Sequence, residues 1–93
     1  MNIYLPILPL KTVLDQQIDK VQEEVAELLE AVETKRSDID IAQEAVDVIQ
    51  SAAGVLQLLE QRGVSMDGVV VNHRIKLLNR GWQPQGVHNV RIK

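Results

Sequence analysis

Leu14, Ile18, Val21, Val25, Leu28 and Val32 follow one another at alternating steps of four and three residues. That spacing lines one face of an α-helix and predicts a helix from about Thr12 to Glu33. Lys35-Arg36-Ser37 breaks the pattern. The two cations suit a helix C-terminus, and Ser37 followed by Asp38 and Asp40 suits the capped, acidic start of the next helix. A second helix is expected from about Asp38 to Gln61, stopped by Gly63. A third begins after Ser65, carries Val69, Val70, Ile75, Leu77 and Leu78, and ends at Gly81. Residues 1–10 hold Ile3, Tyr4, Leu5, Ile7 and Leu8 around Pro6 and Pro9, and read as an extended arm. The tail from Trp82 to Lys93 contains Pro84 and Gly86 and reads as a loop with a short strand within Val87–Ile92.

The fold expected is all-α: one domain over residues 1–93, with arm 1–10, helical core 11–81 and tail 82–93. The short 33–38 connection makes the first two helices an antiparallel hairpin. The second helix has an apolar arc of about half its circumference, including Ala42, Val46, Ile49, Ala53 and Leu56 beyond the side facing the first helix. One neighbour cannot cover that arc. A four-helix bundle completed by a second copy is expected, giving a homodimer or a homotetramer.

Composition narrows the class. The chain has 93 residues, 45% of them hydrophobic, with one Trp, one Tyr and no Phe, so its core must be aliphatic. A domain this small buries little more than about 60% of its unfolded surface. Net charge −3 and a pI near 5.3 argue against a surface that coats nucleic acid. The absence of cysteine excludes disulfides and thiolate metal sites. MNIYLPILPL lacks the basic start and small-residue cleavage site of a signal peptide, and no segment is long enough to span a bilayer. A cytoplasmic protein without nucleic-acid or membrane partners is expected.

The chemistry lies in two acidic pairs equidistant from the turn. Glu24 and Glu27 stand in KVQEEVAELLEAV, Glu44 and Asp47 in AQEAVDVIQSA. Each pair has i,i+3 spacing, so its carboxylates share a helix face. Folding back between Glu33 and Asp38 sets Glu27 level with Glu44 and Glu24 level with Asp47. Both rows flank the apolar arc on the same rotational side, and an antiparallel pair keeps such flanks together. Four carboxylates so close repel unless protons or cations intervene. Oxygen-rich clusters suit Mg²⁺ or Mn²⁺. A lone ExxE is more often a solvated helix face; two pairs matched in height and flank point to a metal.

His73, Lys76 and Arg80 share one face of the third helix. Cations near a helix C-terminus complement its dipole. Beside acids and metal, Lys76 and Arg80 also suit phosphate oxygens. Lys20 either bridges to Glu24 or joins them. His73 reads as a surface or polar-contact residue, and Trp82 as an anchor for the tail or a platform for a base.

EEVAELLEA, EAVDVI and HRIKLLNRGW, covering roughly residues 20–82, together resemble the MazG-like all-α nucleoside triphosphate pyrophosphohydrolases. The resemblance implies Mg²⁺ ligands at Glu24, Glu27, Glu44 and Asp47, also the catalytic acids, and phosphate contacts at Lys76 and Arg80. It implies hydrolysis of an NTP or dNTP to monophosphate and pyrophosphate by a dimer or tetramer. EEVAE, EAVD and RGVSMDGV also look like phosphoribosyl-ATP pyrophosphohydrolase, which lacks the NHRIKLLNRGW ending. A non-catalytic helical interaction module with an acidic rim is the alternative from another class.

Overall fold

The computed structural model describes residues 1–92 and is mostly helical. Strand β1 (Asn2–Leu5) precedes helices α1 (Leu14–Glu33), α2 (Asp38–Gln61) and α3 (Met66–Asn79), and strand β2 (Asn89–Ile92) closes the order. The bounds of α2 are those its caps predict: the Asp40 amide donates to Ser37 Oγ at 3.2 Å. α1 starts two residues later than expected because Val13 is extended (φ −98°, ψ 163°) and offers no capping side chain. α3 is capped by Ser65, whose side chain accepts from the Gly68 amide.

All three helices end on the same device. The second residue past the C-cap donates its amide to the carbonyl three places inside the helix, and the residue before it donates to the next carbonyl along. The pairs are Arg36 to Ala31 and Lys35 to Val32, Val64 to Leu59 and Gly63 to Glu60, and Trp82 to Leu77 and Gly81 to Leu78. This closure needs a left-handed residue. Gly63 (φ 94°) and Gly81 (φ 87°) supply it without strain, whereas after α1 the position is filled by Lys35 (φ 56°).

The all-α expectation needs one correction. The arm and the tail are not two separate irregular segments: β1 and β2 pair in parallel, Asn2 with Asn89 through Leu5 with Ile92. The side chains of Asn2 and Asn89 bond to each other at 2.9 Å, so the ribbon's first rung is tied twice. The tail's final residue, Lys93, lies outside the described residues.

The chain divides into two compact units, residues 8–58 and residues 1–7 with 59–92. The first is the helical hairpin; the second holds the ribbon and α3. No helix among the described residues is long and apolar enough to cross a membrane.

Within the hairpin the deepest positions of α1 are Gln17, Glu24 and Ala31, seven apart, and those of α2 are Ser51, Ala53 and Gly54. The innermost seam is therefore small and polar. The aliphatic stripe lies beside it: Ile18, Val25 and Val32 remain exposed. Small residues let the helix axes approach closely, and Gly54 shows where. A Cβ added there would overlap the Gln17 amide nitrogen and come within 3.0 Å of Gln17 Cδ.

Candidate metal centre

The matched heights expected of the hairpin are visible in its contacts. Gln17 abuts Gly54 and donates from Nε2 to the Ser51 carbonyl at 2.9 Å. Gln17 and Gly54 are equidistant from the turn in the same register that levels Glu24 with Asp47.

Two turns further along α1, the carboxylates of Glu24, Glu44 and Asp47 each offer an oxygen within 4.8 Å of the others. Glu24 is buried, Glu44 half-buried and Asp47 exposed, so the group descends from solvent into the seam. Each of the two deeper acids uses one oxygen on a cation. Glu24 Oε1 lies 2.9 Å from Lys20 Nζ, and Glu44 Oε1 lies 3.6 Å from Arg36 Nη1. Their other oxygens, Glu24 Oε2 and Glu44 Oε2, are buried and have no hydrogen-bond partner. A buried acceptor left unmade costs about 1–3 kcal/mol, and more when charged. Two such atoms facing one seam are what a cation coordinating there would satisfy. The donors are all carboxylate oxygens, with no imidazole or thiolate among them, which suits a hard divalent ion.

Glu27 lies at the edge of the three, beside Glu24. It is exposed and does not join the close group. The charge of Glu24 first, then a side-chain hydrogen bond with Glu24, and less strongly the charge of Glu44, hold the Glu27 carboxyl above the usual carboxylate range. Lys20 is pushed above its ordinary value, first by its hydrogen bond to Glu24 and then by that carboxylate's charge. Of the two readings left open for Lys20, the structure contains the i,i+4 bridge to Glu24, with Glu23 at 3.6 Å as a second partner.

Lys76 and Arg80 belong to the other unit, Lys76 in the last turn of α3 and Arg80 at its C-cap, and both are exposed. His73 lines an open groove on that helix with Val69, Asn72 and Lys76. Trp82 is 67% exposed, so its ring is not a buried anchor; its amide closes the end of α3.

Sequence reasoning missed Arg36 as a partner of Glu44, and Gln17 and Gly54 as the seam's contact point. A glycine inside a helical pattern was the available signal for the latter.

No protein-family model, curated protein or solved structure matches the chain.

Proposed function

We propose that the protein is a Mg²⁺-dependent nucleoside triphosphate pyrophosphohydrolase, converting an NTP or dNTP to its monophosphate and pyrophosphate. The observation that carries this reading is the pair of buried, partnerless carboxylate oxygens on facing helices, Glu24 Oε2 and Glu44 Oε2, with Asp47 beside them. Glu24, Glu44 and Asp47 would hold the ion, with Glu27 at their margin; Mn²⁺ has the same oxygen preference. Bound there, the ion would offset phosphate charge and favour an in-line attack on phosphorus.

The remaining roles fall to the chain's own groups. A carboxylate of this cluster accepts the proton of the attacking water. Lys20 and Arg36 neutralise the acids while no cation is held. On the MazG-like pattern Lys76 and Arg80 would be the donors to pyrophosphate, the guanidinium as a planar fork and the ammonium as a point charge.

Homo-oligomerisation belongs to the same reading. Among the described residues only Leu5, Ala31 and Ala53 are buried hydrophobics, while Val32 is 54% and Ile39 72% exposed. A second hairpin packed on α2 would cover that surface. Sedimentation equilibrium at micromolar concentration is expected to give a dimer or tetramer.

The deciding experiment is a panel of NTPs and dNTPs with Mg²⁺, scoring pyrophosphate and orthophosphate separately. Monophosphate plus pyrophosphate is expected, with Glu44→Gln inactive and Lys76→Ala or Arg80→Ala impaired but still metal-binding. Orthophosphate as sole product, or an active Glu44→Gln enzyme, would sink the assignment.

A further inference from the structure

Next to the acid cluster, the hairpin and the segment before it line a half-open cavity of about 230 Å³. Glu24, Asp47 and Lys20 form its wall on the metal side. The rest is uncharged: Leu8 and Leu10 contribute aliphatic surface, and Gln17, Gln50, Ser51 and Gln57 contribute amides and a hydroxyl. Sites that hold whole drug-sized ligands run to about 300–1,000 Å³. This one has room for a single ring system. Its only cation, Lys20, is bound to Glu24, so the uncharged part has nothing to pair with a phosphate.

The amides are not equally available as donors. Gln17 Nε2 donates to the Ser51 carbonyl at 2.9 Å, and Gln57 Nε2 donates to the Leu8 carbonyl at 3.3 Å. Flipping either amide would set two carbonyl oxygens against each other. Both side-chain carbonyls are therefore fixed as acceptors, and neither receives a hydrogen bond among the described residues. Aliphatic cover beside two side-chain carbonyls held in place as acceptors suits a heteroaromatic ring that carries an exocyclic amine.

We propose that this cavity is the base subsite, and that Gln17 and Gln57 make it select amino-bearing bases over uracil and thymine. The inference rests on the hydrolase reading for the identity of the ligand, since a base must lie beside the phosphates it belongs to. Cytosine and uracil make the sharpest comparison. They share ring size and differ at position 4, where cytosine has an amine with two hydrogens and uracil a carbonyl that would face the glutamine oxygens. A site built around a hydrogen bond rejects an analogue that cannot make it by far more than a hydrophobic pocket rejects a missing methylene.

The test separates this inference from the catalytic one by using nucleosides, which carry no phosphate. Cytidine and uridine are titrated in turn into ¹⁵N-labelled full-length protein without metal, and the side-chain amide signals of Gln17 and Gln57 are followed by NMR. Cytidine is expected to move both signals and to bind at least about tenfold more tightly than uridine. The Gln17→Met and Gln57→Met variants, checked for folding by their backbone amide spectra, are expected to bring the two affinities within about twofold. Equal binding of uridine by the wild-type protein, or cytidine binding that leaves both glutamine signals in place, overturns the inference. Cytidine selectivity in a protein that hydrolyses no nucleotide would preserve the subsite and remove the hydrolase reading; hydrolysis indifferent to the base would do the reverse.

Discussion

Replacing Gly54 with alanine ought to be favourable in most helix interiors, because glycine is about 0.8–1.0 kcal/mol worse than alanine there. Here the added methyl would overlap the Gln17 amide nitrogen. The Gln17 end can swing away, but only by leaving the Ser51 carbonyl, to which it donates at 2.9 Å. Losing that bond removes about 0.5–1.5 kcal/mol, and stranding a buried amide costs about 1–3 kcal/mol. Subtracting the helical gain leaves a net destabilisation of about 0.5–3.7 kcal/mol. For a domain of this size each kcal/mol moves the melting temperature by about 4–8 °C. Gly68→Ala is the internal control, since its Cβ would meet Ser65 Oγ only at 3.6 Å, an ordinary contact. Thermal and urea unfolding at one fixed protein concentration should rank Gly68→Ala at or above wild type and Gly54→Ala below it. In a Gln17→Ala background, Gly54→Ala should turn neutral or stabilising. If Gly54→Ala alone stabilises as much as Gly68→Ala, the helices do not approach at that point and the hairpin register argued from it is wrong.

Three further outcomes are expected. Mg²⁺ at a hundred times its Kd should stabilise the wild-type protein by about 2.7 kcal/mol in thermal unfolding, and the Glu24→Gln protein by far less; an equal shift in both would place the ion elsewhere. Lys35→Gly should raise stability by up to about 1 kcal/mol in urea denaturation, because a side chain at left-handed φ costs about 1–2 kcal/mol and glycine escapes that at some entropic expense; a loss would mean the Lys35 side chain contributes more than its backbone strain. The Glu27 carboxyl is held above its ordinary 4.5, so the folded state favours its protonated form. Its contribution to stability is present below pH 4.5 and disappears as pH rises through the folded value. Carboxyl ¹³C titration of Glu24→Gln should bring Glu27 back down, and an unmoved value would remove Glu24 as the cause.

The helices were legible because their signals are local. Ser37 and Gly63 bracket α2 at the expected residues, and Ser65 and Gly81 do the same for α3. Thr12 looked like a helix start because it resembles a cap, but the chain stays extended through Val13 while the Thr12 hydroxyl bonds to Gln16. The acid pairs were legible by spacing alone. Their depth was not: the sequence set Glu27 equal to Glu24, and only the seam's geometry leaves one exposed and buries the other. The aliphatic stripe also misled about what lies innermost. Periodicity finds the centre of an apolar arc, whereas the close approach of the two helices falls at a glycine, Gly54 against Gln17. The pairing of β1 with β2 was invisible because neither segment alternates strongly and nothing local couples them.

That pairing bears on the order of folding. Two parallel strands cannot be joined by a tight turn, and here the crossover between them is the whole helical chain. Closing a loop of this length costs about 4 kcal/mol in its length-dependent term, against four residue pairs of parallel ribbon. Helices and a hairpin form through near neighbours in microseconds, but this contact must await an encounter of distant ends. The strands should therefore zip last and open first, with amides of residues 2–5 and 89–92 exchanging with solvent well ahead of those in α1 and α2.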